Sequence, residues 1–214
     1  MNQVPSDSLK ASWLIHQGAT RAFLKRAFDI AGAIVLLIMA MPLMLLTAIA
    51  VGFDSPGPVF HRRECVGLRG RVFSCLRFRS MRIEAECDDV ARCASSKRGT
   101  LITRLGKWIR HTRIDELPQL FSVLWGDMSL VGPRPESPSF VEHLRNEIPH
   151  YDVRHAVKPG ITGWTQVRYG HGTSLEDARR RHQLDLHYVK NNSLVVDLLV
   201  LIETVSVVLA REGR

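Results

Sequence analysis

The chain has 214 residues, 29 Lys+Arg against 21 Asp+Glu, and a formal net charge of +8. That length supports one domain with its own core and leaves room for a membrane element, while the charge calls for an anionic partner: nucleic acid, acidic lipid head groups or nucleotide phosphates. Cys65, Cys75, Cys87 and Cys93 show no CxxC pairing, which argues against a zinc site and reads as free thiols of a reducing compartment. No signal peptide opens the chain, and neither a GxGxxG nor a GxxxxGK phosphate loop occurs in it.

In chain order, residues 1–20 are weakly patterned and read as a mobile or interfacial arm, extended to 26 by the basic residues Arg21, Lys25 and Arg26. The uncharged run 30–51 follows, about 22 residues, or about 33 Å of helix, the thickness of a bilayer's hydrocarbon core. Hydropathy alone makes it a transmembrane span over 27–53. Two features oppose that. Pro42 lies inside the run and bends a helix. Basic residues also flank both ends, with His61, Arg62, Arg63, Arg69 and Arg71 beyond it, so the positive-inside rule asks for both ends on one face. A re-entrant helix–break–helix, turning at Met41-Pro42, meets both observations. Asp29 in the first turn is expected at the interface, paired with Arg26.

Asp54-Ser55-Pro56-Gly57-Pro58-Val59-Phe60 is rich in breakers and reads as the exit from the membrane. Residues 71–78 alternate as a strand, which puts Arg77 and Arg79 on one face. The polar stretch 84–100 reads as a flexible loop of lid length, and 101–110 as a basic amphipathic helix with Leu101, Leu105, Trp108 and Ile109 on its apolar side.

The stretch 112–135 organises the rest. Asp115 and Glu116 sit where a helix begins, with Pro118 tolerated in its first turn and apolar residues recurring at Leu117, Leu120, Phe121 and Leu124. An acidic first turn is ordinary, since the helix dipole favours it. Here, however, Arg110 and Arg113 precede the pair, Gly126-Asp127 turns the chain, and Gly132-Pro133-Arg134-Pro135 fixes a further guanidinium. Carboxylates among held arginines suit the handling of phosphate esters. Beyond it, 139–148 reads as a short helix, 157–170 as a glycine-punctuated loop and strand, and 174–190 as a charged helix opened by a Ser-x-x-Asp cap. Residues 194–209 are apolar but interrupted by Asp197 and Glu203, as in an interfacial helix lying on a bilayer.

Asp115-Glu116-Leu117-Pro118-Gln119-Leu120, followed by Gly126-Asp127-Met128-Ser129-Leu130-Val131-Gly132-Pro133-Arg134-Pro135, resembles the bacterial sugar transferases, the monotopic polyprenyl-phosphate phosphoglycosyl transferases. The resemblance runs over 25–209. Ser55-Pro56-Gly57-Pro58-Val59-Phe60 matches the segment that begins the family's cytoplasmic fold, and Arg77-Phe78-Arg79-Ser80-Met81 differs from its Lys-Phe-Arg-Ser-Met only at 77. Lys158-Pro159-Gly160-Ile161-Thr162-Gly163-Trp164 is similar to a stretch near the family's active site, continuing through Gln166 to Arg168 where the family often has Asn-Gly. Met41-Pro42 stands where many members have Ser-Pro, and His187 replaces a tyrosine after Asp185.

The resemblance implies an α/β, helix-rich fold. A cytoplasmic catalytic domain with a small sheet (54–193) would sit on the re-entrant helix (27–53) at the bacterial inner membrane, with interfacial helices including 194–214. It implies transfer of a sugar-1-phosphate from a UDP-sugar to undecaprenyl phosphate among inner-leaflet lipid, with Asp115 as nucleophile, Glu116 holding Mg²⁺, and UMP released. Arg77, Arg79, Arg110, Arg134, Gln119, Lys158, Gln166, Arg168 and Asp185 form the expected substrate- and phosphate-binding set. Neither the sugar nor the oligomeric state follows, and a homodimer is left open.

Other classes fit part of the pattern. A membrane-anchored nucleic-acid binder would use the same charge, but only Trp108 and Tyr169 interleave with basic residues, so nucleic acid is not the expected partner. A silent scaffold gives no reason for Asp115-Glu116 beside Gly-Pro-Arg-Pro. An aspartyl-phosphate phosphatase differs only in using water as acceptor.

Overall fold

The computed structural model describes residues 19–81, 102–169 and 174–210; the predicted arm up to residue 18, the lid-length loop, Cys87 and Cys93 lie outside them. Helix α1 (Ala19–Asp54) is a single 36-residue helix with Pro42 inside it, about 54 Å long at the standard rise. The basic residues expected ahead of the helix therefore sit in its first turns. The expected break at Met41-Pro42 is absent from the secondary structure, because one missing N–H removes one ladder bond and leaves its neighbours in place. Asp29, Ala33, Leu37, Met44, Thr47 and Val51 are buried, and their steps of three, four and seven put them on one face. The other face exposes Phe23, Ile38, Met39, Leu45, Leu46 and Phe53. Among the described residues, α1 is the one helix long and apolar enough to cross a membrane.

Strands β1 (Phe60–Val66) and β2 (Val72–Phe78) form an antiparallel hairpin in which Phe60 faces Phe78 and Arg63 faces Cys75. The charged run His61-Arg62-Arg63-Glu64 hides β1 from a hydrophobic pattern; its inward positions are few, and Cys65 and Val66 carry the burial. Helix α2 (Arg104–His111) starts at Thr103, whose side chain accepts from the Gly106 N–H at 2.8 Å. A 3₁₀ turn, Ile114–Glu116, leads through Pro118 into α3 (Gln119–Trp125), and Gly126 at φ 99° ends that helix in the left-handed conformation open to glycine.

Strand β3 (Ser129–Val131) runs parallel to β4 (Gly160–Thr162), with α4 (Pro138–Glu147) and a 3₁₀ turn, Tyr151–Ala156, in the connection. The Gly-Pro-Arg-Pro loop needs its glycine: a Cβ on Gly132 would fall 2.3 Å from the Lys158 carbonyl oxygen. After β4 come α5 (Trp164–Arg168), α6 (Leu175–Asn191) and α7 (Leu194–Ala210). The predicted cap of α6 is reciprocal, with Ser174 Oγ accepting from the Asp177 N–H and Asp177 accepting from the Ser174 N–H.

One cluster of buried side chains joins α1 (Ala33, Leu37, Val51) to Phe78, Ile109, Val123, Leu130, Tyr188 and Val200. Helices α1 and α7 thus share the core of the rest of the chain. Polar contacts reinforce this at both ends of α1. Arg26 donates to the carbonyls of Val123 and Leu124 at 2.6 and 2.8 Å, covering the C-terminus of α3. It is therefore Lys25, one turn from Asp29, that pairs with that carboxylate at 3.1 Å. Lys25 also meets Asp197 of α7 at 2.9 Å, and Tyr188 donates to Asp197 at 2.7 Å. Asp197, which breaks the apolar run in sequence, is fully buried and fastens α7 to α1.

Candidate active site

Asp115 and Glu116 owe their position to the turn before them. Arg113 sits at φ 59°, ψ 12°, a left-handed conformation uncommon for a side chain of its size. It reverses the chain between α2 and the 3₁₀ turn, so both acids point back toward β2 rather than out along a helix start. Both are buried, Asp115 at 5% and Glu116 at 8% exposure. The structure thus places the pair one turn before α3 rather than in its first turn.

Three guanidiniums converge on Glu116: Arg134 at 2.8 Å, Arg77 at 3.0 Å and Arg113 at 3.9 Å. Burial opposes ionisation of Glu116, but Arg134, Arg77 and Arg113 outweigh it and hold the carboxyl down at about 2. Asp115 is placed differently. Arg77 reaches it only at 3.6 Å, beyond hydrogen-bond length. Burial, then the adjacent Glu116 charge, push its carboxyl above the ordinary 3.8, against the pull of Arg77, Arg110 and Arg134. Two neighbouring carboxylates with their proton affinities driven apart are assigned different work by their surroundings. Glu116 is held in place by its guanidiniums, while Asp115 makes no hydrogen bond to another described residue and has its proton affinity raised.

The structure brings Arg77, Arg110, Arg134, Asp115 and Glu116 into one electrostatic neighbourhood. Gln119 lies one turn on, almost fully buried, with no acceptor for its amide nitrogen among the described residues. Arg79 goes elsewhere. It is 3% exposed, and its Nη2 donates to the Val51 and Ser55 carbonyls at 3.3 and 2.5 Å, tying off the C-terminal end of α1. Strand alternation puts Arg77 and Arg79 on one face, but β2 ends at Phe78, and past it the pleat no longer sets direction. Lys158 sits beside Gly126 and Arg26. Arg168 stacks over Trp164 and pairs with Glu203 of α7 at 2.6 Å, so that contact is with the protein itself.

Gln166 and Asp185 border a cleft on the far side of Arg134, together with Tyr151, Arg154, Thr165 and His182. Arg154, absent from the expected set, is the hub of this wall. It donates to Tyr151 Oη at 2.6 Å and to the Arg134 carbonyl at 2.8 Å, and pairs with Asp185 at 2.9 Å. Thr165 donates to Asp185 at 2.6 Å. A lone arginine between His150 and Val157 carries no local pattern, and only the tertiary contact with Asp185, 31 residues later, gives it meaning. Residues 170–173 are outside the described set.

The family model for bacterial sugar transferase matches residues 20–211. The chain is 45% identical over 193 residues to the UDP-N-acetylgalactosamine-undecaprenyl-phosphate N-acetylgalactosaminephosphotransferase of Aeromonas hydrophila, covering 90% of this chain and 45% of that protein. It is 43% identical over 182 residues to the UDP-glucose:undecaprenyl-phosphate glucose-1-phosphate transferase of Xanthomonas campestris pv. campestris, covering 84% and 37%. The UDP-glucose:undecaprenyl-phosphate glucose-1-phosphate transferase of Caulobacter vibrioides is 39% identical over 192 residues, covering 88% and 71%. The chain therefore spans less than half of the first two relatives and most of the third. A match over nearly its whole length, on a body whose buried acid pair is ringed by arginines, leads to one conclusion: the chain belongs to the bacterial sugar transferase family.

Proposed function

We propose that this chain transfers a sugar-1-phosphate from a UDP-sugar to undecaprenyl phosphate through a phosphosugar carried covalently on Asp115. The observation that carries the reading is the asymmetry of the acid pair, with Glu116 clamped by Arg134 and Arg77 and Asp115 held beyond hydrogen-bond reach of its nearest guanidinium. A carboxylate oxygen of Asp115 attacks the sugar-linked phosphorus. The bond to the bridging oxygen breaks, and UMP leaves with that oxygen. The phosphate oxygen of the lipid acceptor then attacks the same phosphorus and frees the Asp115 carboxylate. Splitting the transfer lets one site serve a water-soluble donor and a lipid acceptor in turn. The relatives' substrates, UDP-sugars and undecaprenyl phosphate, support both partners.

Repulsion between Asp115 and the donor's phosphates has to be offset. Arg77, Arg110 and Arg134 supply fixed positive charge where negative charge develops. Among the described residues no group of three or more His, Cys, Asp or Glu could hold a metal alone. The donor set instead fits Mg²⁺ shared with substrate, which typically takes one or two carboxylates and completes its shell with phosphate oxygens and water. Glu116, with Asp115 beside it, would hold that ion, and when bound it would neutralise pyrophosphate charge.

Attachment of both ends of α1 to one body favours a helix that stays on one face of the membrane over a span. Arg26 is bound to α3 near one end, and Val51 accepts from Arg79 near the other. A span would carry one of those ends away from a domain confined to the cytoplasmic face. The exposed apolar residues of α1 and those of α7 (Val195, Leu198, Leu199, Ile202 and Val205) would then face inner-leaflet lipid.

The test is Asp115→Asn with a UDP-sugar radiolabelled in its sugar phosphate. UMP release and transfer of label to the protein should both vanish. Label retained on the variant would remove Asp115 as the attacking group, and UMP release with water in place of lipid as steady acceptor would make the protein a phosphatase.

A further inference from the structure

The acid pair stands among more guanidiniums than it uses. Among the described residues, the ion pairs of Asp115 and Glu116 go to Arg77, Arg113 and Arg134, whereas Arg63 and Arg110 make none. In sequence, Arg63 is only one of several basic residues after the apolar run. The hairpin brings it to the site. Cross-strand partners share a face of the sheet, and Arg63 stands opposite Cys75, two residues before Arg77 on β2. Arg63 and Arg77 therefore lie on one face, about 7 Å apart along the strands. That face is the inward one. Cys65 and Cys75 on it are buried, Arg63 and Arg77 are half-buried, and Arg77 reaches Glu116 from it at 3.0 Å.

Arg110 of α2 feels this face. Partial burial lowers its guanidinium, Asp115 pulls the other way, and Arg77 and Arg63 lower it further. Like charges held together with no acid between them are costly until an anion joins them. Glu136 does not supply that anion, since its carboxylate acts on Arg134, Arg154 and Asp185, beyond Arg134.

Position then selects which anion. Arg77, Arg110 and Arg134 are the guanidiniums that bear most on Asp115, and Arg63 is not among them. It bears on Arg110 instead, one step outward from the attacking carboxylate. In a UDP-sugar the phosphorus that Asp115 attacks carries the sugar, and the next phosphate carries the uridine. A donor with its sugar-linked phosphorus at Asp115 therefore has its second phosphate one step away as well.

We propose that Arg63, together with Arg110, holds the donor phosphate that departs as UMP. This rests on the UDP-sugar reading above and adds to it a residue for the leaving group. Negative charge builds on the bridging oxygen as its bond to phosphorus breaks, so fixed guanidiniums at that phosphate favour cleavage. A guanidinium also takes two phosphate oxygens at once, which an ammonium does not.

The full chain in lipid nanodiscs, with Mg²⁺ present, is titrated calorimetrically with UMP as the parent, Arg63→Met and Arg63→Lys. Arg63→Met should weaken UMP by about tenfold or more, the loss of one charge-assisted contact, and Arg63→Lys should recover part of that loss. Because Arg63→Met relieves repulsion with Arg77 and Arg110, its melting temperature without nucleotide should be no lower than the parent's. The KM for undecaprenyl phosphate, measured with whichever of UDP-glucose and UDP-N-acetylgalactosamine the parent turns over, should not change. Unchanged UMP affinity overturns the proposal, and a raised KM for the lipid in its place assigns Arg63 to the acceptor's phosphate. A loss of UMP binding that Arg63→Lys does not recover, with a lowered melting temperature, makes Arg63 structural and also overturns it. Should Arg63→Met fail to fold, Arg63→Lys decides alone: it should weaken UMP severalfold at the parent's melting temperature, and parental UMP affinity overturns the proposal. Arg63-dependent UMP binding in a chain that takes no phosphosugar label on Asp115 would remove the covalent transfer and leave the phosphate seat standing.

Discussion

Two buried clusters in this protein combine carboxylates with cations, and they differ in how completely their oxygens are served. At the base of α1, Asp29 Oδ1 accepts from Lys25, Ser129 Oγ and the Leu130 N–H, all at 3.0–3.1 Å, and Asp197 accepts from Tyr188 while pairing with Lys25. At the acid pair, Glu116 Oε1 is taken by Arg134 and Arg77 while Oε2 has Arg113 only at 3.9 Å, and Asp115 has a guanidinium at 3.6 Å and a proton affinity pushed upward. The first cluster holds three segments together. The second leaves Asp115 without a hydrogen bond from another described residue. Burying a charge is tolerable when its hydrogen bonds are complete; leaving them incomplete costs stability and is useful only where that oxygen must react.

The predictions separate the two clusters. The largest effect is expected for Asp115→Asn: loss of UMP release by about 10⁴-fold or more, with a melting temperature equal to or above that of the parent, since an ill-satisfied charge has been removed. A marked fall in melting temperature would make Asp115 structural. Chelation with EDTA should bring UMP release to background and Mg²⁺ should restore it; full activity in EDTA would remove the ion from the scheme. Arg134→Lys keeps a charge but loses the planar fork on Glu116, and kcat should drop by about 10²–10³-fold, comparable to losing one transition-state donor.

Lys25→Met tests the other cluster. It strands two buried carboxylates and should cost about 3–5 kcal/mol of stability, read as a lower denaturation midpoint, with UMP release per folded molecule retained. Activity lost without destabilisation would contradict the division drawn here.

The smallest effects concern pH. Asp115 must be ionised to attack, so the acid limb of kcat/KM should lie above pH 3.8. Stability should decline on acidification in two windows. His155 and His182 have folded values lowered by burial, then by Arg154, from 6.5 to about 4, so the stability they contribute is present above pH 6.5 and is lost as pH falls toward 4. Glu116, lowered from 4.5 to about 2, does the same at lower pH. Denaturant titrations across pH 2–8 measure both windows, and His182→Phe should shrink the upper one.

Several elements could be read from local chemistry. The α6 cap, the α3 helix with its glycine stop, strand β2 and the long apolar α1 each follow from residue type and spacing within one stretch. Strand β1 could not, because its charged run alternates against a pattern search and is held by pairing with β2. Both Lys25 and Arg26 are within reach of Asp29 in sequence, and only the position of α3 decides which is drawn away. Arg79 looked like a companion of Arg77 for a similar reason: the period of a strand says nothing about where the strand stops.

By itself, the sequence determined that an acid pair would sit among arginines beside an apolar helix, because those residues lie within one short stretch and their chemistry is local. Tertiary structure decided which acid is satisfied and which is not. It also decided that Arg154, Asp185 and His182 share a wall, and that both ends of α1 rest on one body. Those facts depend on distances between segments far apart in the chain, and a carboxylate's reactivity is set by what lies within a few ångströms of it in space.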